Sequence, residues 1–116
     1  MVRRVKVEQG KDGKILKWAF PGGKQKSDEG RKECVEREVL AETGYEVNYL
    51  KQISLRIPPD LPVIIVYHLC RLKNPKQKQP AQPWEIAEVR WVKPDELREL
   101  FTTSIDPGVS KELKID

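Results

Sequence analysis

The segment from Gly23 to Tyr45, GKQKSDEGRKECVEREVLAETGY, constrains this chain most, because it joins a glycine turn to a carboxylate-rich helix. Pro21 and Gly22 open the turn. Glycine has no Cβ atom, so the backbone at Gly22 and Gly23 can turn sharply and come close to a ligand. Carboxylates are the side chains that bind Mg²⁺ beside phosphate groups. The segment therefore predicts a loop–helix unit that can hold metal ions against a diphosphate.

The helix carries two glutamates that can act together. Glu38 and Glu42 are four residues apart, so they project from one face of the helix, one turn apart. Like charges at this spacing repel each other mildly, and a bound cation would turn that cost into a site. Arg37 is a planar cation with several donors, and we expect it to brace rather than to bind metal. Gly44 follows the last turn, where a left-handed cap is expected.

The offsets of these residues resemble the Nudix box, G-x5-E-x7-R-E-U-x-E-E-x-G-U, in which U is an aliphatic residue. A charged amphipathic helix between two glycines would explain the helix but not the fixed offsets. Tyr45 is an apolar replacement for the last U, and Ala41 departs from the pattern where a glutamate is usual. The residues that fit the pattern are Gly23, Glu29, Arg37, Glu38, Val39, Glu42 and Gly44.

The resemblance implies a metal site built from this box. It implies that Glu38 and Glu42 bind the catalytic metals, with the backbone carbonyl of Gly23 as a further ligand. The expected metal is Mg²⁺, with Mn²⁺ as a substitute. The resemblance also implies that Arg37 orients the acidic groups and that Glu29 supports this network. We therefore predict catalytic roles for Glu38 and Arg37.

Ala41 lies where the family has another metal-binding glutamate. This difference puts in question the number of metals held, their affinity or the activity itself. Because Glu38 and Glu42 remain, we favour a working enzyme with a reduced ligand set. The competing interpretation is a family member that binds a nucleotide but hydrolyses it poorly.

Many proteins of this family use a further carboxylate from a later loop, as a base or an extra metal ligand. The segment WEIAEVRWV resembles the stretch that often carries it. Glu85 is the first candidate, because it lies at the loop edge before the strand, and Glu88 is the second. The alternative, that both are ordinary exposed positions of an alternating strand, has nearly equal weight.

Positive charge around the glycine turn favours an anionic ligand. The net charge is +4 and the pI is about 9.1, which suits long-range attraction of an anion. Lys24 and Lys26 flank the turn, and we predict that Lys24, Gly22 and Gly23 contact phosphate. Solvated loop lysines are an equally good explanation. The other basic residues are scattered, so nucleic acid is not the expected partner.

Composition indicates one soluble, cytoplasmic domain. The chain has 116 residues, of which 38% are hydrophobic and 34% charged. No apolar run is long enough to span a membrane, and no apolar core follows the basic N-terminal residues as in a secretory signal. Cys34 and Cys70 are predicted to be free thiols. His68, the only histidine, is expected to be packed or hydrogen-bonded.

Hydrophobic periodicity predicts five strands and three helical segments around turns. The buried stripe of the first helix should comprise Cys34, Val35, Val39 and Leu40, and Ser27 or Asp28 should cap it. Turns are expected at Gly10–Gly13 and Asp106–Gly108, with a final helical turn after the second. The predicted strands are Met1–Val7, Lys14–Phe20, Glu46–Ile57, Leu61–Leu72 as the central strand, and Glu85–Val92, and a short helix is predicted at Pro94–Leu100.

The resemblance implies an α+β fold, a Nudix-like α/β/α sandwich with a mixed β-sheet between helices. The resemblance covers most of the chain, and we predict that residues 1–116 form a single Nudix domain. Family members usually have a complete strand before the segment that matches Arg3 to Val7, and here Met1 interrupts it. We therefore expect a shortened N-terminal strand, with the exposed sheet edge covered by a second chain in a homodimer.

The leading hypothesis is a metal-dependent hydrolase of a nucleoside diphosphate linked to another group. The linked compound would be a nucleoside triphosphate, an ADP-ribose-like molecule or a dinucleoside polyphosphate. The alternative is a non-catalytic nucleotide- or RNA-binding module on the same fold, and a small basic nucleic-acid-binding domain is a third hypothesis. Trp18, Trp84 and Tyr67 could stack on a base, although core packing is the favoured role for each.

Overall fold

The computed structural model describes residues 1–9, 15–80, 86–101 and 105–115, with the backbone alone at 3–9 and 15–17. The predicted α+β content is confirmed. Within these residues no helix is long and apolar enough to cross a membrane. The elements are β1 (Val2–Gln9), β2 (Ile15–Ala19), α1 (Arg31–Thr43), β3 (Glu46–Arg56), β4 (Ile65–Asn74), β5 (Ile86–Val89), α2 (Leu97–Leu100) and α3 (Pro107–Leu113).

The described strands form two antiparallel sheets. One has three strands in the order β2-β1-β5, and the other pairs β3 with β4. Val2 lies opposite both Ala19 of β2 and Val89 of β5, so β1 is paired on both sides. The chain near the N-terminus is therefore the middle strand of its sheet. The expected homodimer stays a prediction.

The prediction for β4 was wrong in its start and in its place. The strand begins at Ile65, and among the described strands it pairs only with β3. Proline has no N–H to donate to a ladder, so Pro62 and the preceding Pro58-Pro59 delay the strand. The aliphatic residues before it are exposed instead: Leu61 by 56%, Val63 by 42% and Ile64 by 60%.

The two ends of α1 differ from each other and, in part, from prediction. The helix begins after Gly30, which makes no side-chain cap, so the caps predicted at Ser27 or Asp28 are wrong. It ends as predicted at Gly44, whose φ of 79° lies in the left-handed region and whose N–H donates to the Leu40 carbonyl at 2.9 Å. Of the predicted buried stripe, Cys34 is buried, Val35 and Val39 are half-buried, and Leu40 is 36% exposed, so the prediction for Leu40 was wrong. Glu42 is buried although it is charged.

The C-terminal segment contains more helix than expected. Pro94–Glu96 forms a 3-10 turn that leads into α2, which confirms the predicted short helix. The turn predicted at Asp106–Gly108 is instead the start of α3, because an aspartate cap followed by proline favours a helix N-terminus. Asp106 Oδ2 accepts hydrogen bonds from Gly108 N at 3.0 Å and from Val109 N at 3.3 Å.

The core is modest and lies where the sheets meet the helices. Its buried apolar residues come from β1, β2, α1, β5, α2 and α3. Both α1 and α3 pack on β3, and a Cβ at Gly108 would lie 2.6 Å from Ser54 Cβ. The turn predicted at Gly10–Gly13 lies outside the described residues. The buried apolar side chains are Val2, Trp18, Cys34, Ile86, Leu97 and Val109.

Candidate active site

The glycine turn holds the buried carboxylate of α1. Gly22 N donates a hydrogen bond to Glu42 Oε1 at 2.8 Å, and Glu42 is only 2% exposed. A carboxylate buried without partners would be costly, and a backbone N–H offsets part of that cost. In the predicted loop–helix unit, the glycine loop therefore folds back and contacts the C-terminal part of α1.

Gly23 leaves room for the second carboxylate. A Cβ atom at this position would lie 2.6 Å from Glu38 Cδ and from Glu38 Oε2, and 2.8 Å from Glu38 Oε1. Such distances are far below van der Waals contact, so the carboxylate of Glu38 occupies the space that a side chain would need. The side chain of Glu38 is 12% exposed. Glycine lets the carboxylate keep this position, because any larger residue would have to displace it.

Arg37 connects the loop with the helix. Its Nε and Nη2 atoms donate to Glu29 Oε2 at 2.9 Å and to Glu29 Oε1 at 2.6 Å, and its Nη1 donates to Glu38 Oε1 at 2.6 Å. Nη2 also donates to the carbonyl of Lys24 at 3.3 Å. One planar guanidinium thus fixes two carboxylates and the loop backbone, which a single ammonium could not do. The contribution of Arg37 to catalysis stays a prediction.

Glu29 is ionised in this network. Hydrogen bonds from Arg37 lower its pKa to about 2, and Lys26 N adds a further hydrogen bond at 2.8 Å. Glu29 and Glu38 in turn raise the pKa of Arg37. The Arg37–Glu29 pair is therefore charged under all but strongly acidic conditions.

The donors present suit a hard divalent cation. Mg²⁺ prefers oxygen ligands, and it is usually held by one or two carboxylates together with substrate phosphates and water. Glu38 and Glu42, which the Gly22-Gly23 turn contacts, are such a pair. Among the described residues, no cluster of three or more His, Cys, Asp or Glu side chains could hold a metal. Ala41 is consistent with this smaller set, which fits Mg²⁺ or Mn²⁺ completed by substrate and water.

Of the two later carboxylates, Glu88 alone lies among the described residues. Glu85 and Trp84 lie outside the described residues, so the prediction of Glu85 as a base is untested. Glu88 is in β5, where its Oε2 accepts a hydrogen bond from Arg90 Nη2 at 2.9 Å. The side chains of Lys24 and Lys26 are exposed, as a phosphate contact or simple solvation would require.

Several sequence predictions about packing are confirmed. Trp18 is 8% exposed, and the guanidinium of Arg90 lies 4.6 Å from its ring centroid, so it belongs to the core. Tyr67 meets the ring of Phe20 edge-on at 6.2 Å. The ring of His68 packs against a neighbouring tyrosine, and burial lowers its pKa. The two cysteines are free, and burial raises the pKa of each.

Sequence reasoning missed the residues that close the C-terminal end of α1. Gln77 Nε2 donates to the carbonyl of Thr43 at 2.7 Å, and Lys78 N donates to the carbonyl of Gly44 at 2.7 Å. These partners are 34 residues apart in both cases. No sequence motif indicates these residues, because a hydrogen bond to a backbone carbonyl can form at any separation along the chain.

The comparison with known proteins fits this geometry. The family model of the NUDIX domain matches residues 1–113. The chain belongs to the Nudix family. The Nudix-like α+β fold predicted from the box is thereby confirmed. The chain is also 30% identical over 95 residues to an mRNA-decapping enzyme subunit 2 from Arabidopsis thaliana, an alignment that covers 80% of this chain and 26% of that protein. The chain thus spans about a quarter of the length of this relative.

Proposed function

We propose that this Nudix domain is a metal-dependent hydrolase that cleaves a diphosphate linkage attached to a nucleoside. One observation carries the proposal. Arg37 donates hydrogen bonds to both Glu29 and Glu38, and the carboxylate of Glu38 lies directly against the backbone of Gly23. A helix with a purely structural role has no need to press a carboxylate against a glycine backbone and to fix it with a guanidinium.

Each residue of the network has a role in this proposal. Glu38 and Glu42 hold Mg²⁺ or Mn²⁺, which would neutralise phosphate charge and lower the pKa of the attacking water. Arg37 keeps Glu38 in one orientation, and Glu29 keeps Arg37 in place. Lys24, whose exposed side chain lies beside the turn, attracts the substrate phosphates.

The candidate substrates share one chemical group. Nucleoside triphosphates, ADP-ribose-like compounds and dinucleoside polyphosphates all contain a diphosphate next to a nucleoside. The relative's name adds capped mRNA, in which a nucleoside is joined to RNA through phosphates. Capped RNA therefore belongs among the substrates to be tested, although scattered basic residues had argued against nucleic acid.

The proposal is tested by chromatographic detection of the cleavage products of each compound in this panel, with Mg²⁺, with Mn²⁺ and with a chelator. We expect metal-dependent turnover of one substrate class. Glu38→Gln should reduce it by about 100-fold or more, because it removes a charged ligand beside the reacting group. Glu33→Gln, an exposed position in the first turn of the same helix, is the matched control and should keep full activity. Equal activity of the two variants would refute the proposed site.

Ala41 favours one second candidate, a module that binds nucleotide without hydrolysing it. This candidate predicts saturable binding of one compound of the panel, measured by calorimetry, and no cleavage of that compound with either metal. Metal-dependent turnover of any compound would exclude it.

A further inference from the structure

Two consecutive residues, Gln77 and Lys78, lie across the C-terminal end of α1, and we call this pair the strap. The last carbonyls of a helix have no donors within the helix. The strap supplies two of these donors, the amide of Gln77 to Thr43 O and the backbone N–H of Lys78 to Gly44 O, each at 2.7 Å. The helix is thus closed by a segment that lies beyond β3 and β4 in the chain.

The contact between the strap and Gly44 is tight. A Cβ at Gly44 would lie 2.0 Å from the carbonyl oxygen of Lys78 and 3.1 Å from Cγ of Gln77. The ammonium of Lys78 also forms an ion pair with Glu46, the first residue of β3. Gly44 is therefore needed twice, for its left-handed backbone and for the space that the strap occupies.

The last turn of α1 carries one of the two proposed metal ligands. Glu42 immediately precedes Thr43, whose hydroxyl donates to Val39 O at 2.6 Å and accepts from Tyr45 N at 3.0 Å. The carboxylate of Glu42 is held from the other side by Gly22 N. The backbone of Glu42 is thus fixed through the strap, and its side chain is fixed through the glycine turn.

We propose that the strap is a positioning element of the metal site, in which the side chain of Gln77 holds the last turn of α1 so that Glu42 can bind metal. This inference rests on the proposed function. Because Ala41 supplies no carboxylate, Glu38 and Glu42 must bind the metal without a third glutamate from this helix. The position of Glu42 should therefore have a larger effect on metal affinity. Outer groups that orient metal ligands typically change metal affinity by about 10–100-fold.

The test is direct binding of Mn²⁺ to the full chain, followed by electron paramagnetic resonance of the unbound ion, without any substrate. Gln77→Ala should weaken binding about 10-fold. Gln77→Glu, which keeps the shape but removes the donor, should weaken it similarly. Gln79→Ala, an exposed position of the same loop, is the matched control and should bind like the parent protein. Equal Mn²⁺ affinity for the Gln77 variants and the Gln79 variant would overturn the proposal.

A second readout separates positioning from general destabilisation. In a metal titration of activity, Gln77→Ala should need about 10-fold more metal but should recover most of kcat at saturation. Loss of kcat at every metal concentration, with unchanged Mn²⁺ affinity, would contradict a positioning role. Mn²⁺ binding without turnover of any substrate would refute the proposed function. The role of the strap would then still be decided by the Mn²⁺ affinities of the Gln77 variants. Absence of saturable Mn²⁺ binding by the parent protein would overturn both.

Discussion

The two ends of the box helix α1 are held in opposite ways. The loop before its N-terminal end is organised by charge, through the pairing of Arg37 with Glu29 and Glu38. The C-terminal end is organised mainly by close packing and by hydrogen bonds to backbone carbonyls, through Gly44 and the strap, beside one exposed ion pair between Lys78 and Glu46. One end should therefore respond to pH and to the geometry of a cation, whereas the other should respond to added volume.

The largest effect on stability should come from the C-terminal end. Gly44→Ala would place a Cβ 2.0 Å from the Lys78 carbonyl and force alanine into the left-handed region. The backbone strain costs about 1–2 kcal/mol and the displaced strap loses hydrogen bonds worth about 1 kcal/mol each, so we expect a loss of about 3 kcal/mol. Urea unfolding with an unchanged m-value measures it. A loss below about 1 kcal/mol would mean that the strap can move away from the added methyl group at little cost in stability.

The next effect concerns activity and the glycine turn. Gly23→Ala should reduce kcat by about 100-fold, because the added methyl group must displace the carboxylate of Glu38. Gly22→Ala is the matched comparison, since among the described residues a Cβ at that position has no neighbour within 4 Å and its N–H to Glu42 is retained. We expect Gly22→Ala to lose much less activity. Similar kcat values for the two variants would show that Glu38 is not held as the structure indicates.

The charged end can be tested without changing its charge. Arg37→Lys keeps the cation but loses the planar fork that binds Glu29 and Glu38 together, so kcat should fall by about 10-fold or more. Arg31→Lys changes an exposed arginine in the first turn of the same helix and should have little effect, although Arg31 donates to Gln52 Oε1 at 2.7 Å. Full activity of Arg37→Lys would show that the positive charge of Arg37 is sufficient and that its planar shape is not needed.

Acid should weaken the charged end first. The pKa of Glu29 falls from an ordinary value of 4.5 to about 2 in the folded protein. Its contribution to stability is thus complete above about pH 4.5 and is lost as the pH falls towards 2. Thermal unfolding from pH 6 to pH 2 should show this loss, and Glu29→Gln should reduce the slope in that range. An unchanged slope in Glu29→Gln would assign the acid sensitivity to other carboxylates.

The smallest effect should come from repairing the missing N-cap. Gly30 has an extended backbone, with φ of −84° and ψ of 176°, that any residue adopts. Gly30→Ser should add a few tenths of a kcal/mol of stability, because a serine hydroxyl can accept a helix N–H. Within the part of the chain that the structure describes, a Cβ there would meet only the movable carboxylate of Glu33. A clear destabilisation in urea unfolding would show that the loop before α1 tolerates no side chain at this position.

Sequence predicted what is local and missed what is distant. The spacing of the box predicted that the glycine turn and the helix carboxylates would lie together, and Gly23 does lie on Glu38 while Gly22 N bonds Glu42. Their binding of metal stays a prediction. The start of α1 was misplaced, because Ser27, Asp28 and Gly30 are all acceptable caps and the local sequence does not decide among them. The strap was missed because hydrogen bonds between an amide and a carbonyl leave no pattern in the chain.

Apolar runs were the other source of error. LPVIIVYHLCRL predicts a buried strand by composition, yet prolines remove its first residues from the ladder. The start of α3 was read as a turn because Asp-Pro-Gly suits both, whereas in the structure Asp106 caps the helix and Gly108 packs on Ser54. In both cases the same residues satisfied two local structures, and tertiary contacts selected one.

The reversal between β3 and β4 has a practical consequence for anyone who concentrates this protein. Ile57, Leu61, Val63 and Ile64 leave between 42% and 66% of their surface in water at one tip. Such a cluster makes molecules adhere to each other as their number per volume rises. We therefore expect this tip, which is separate from both ends of the box helix, to promote self-association in concentrated solution. Polar residues there would let the protein be handled at higher concentration while the carboxylates keep their places.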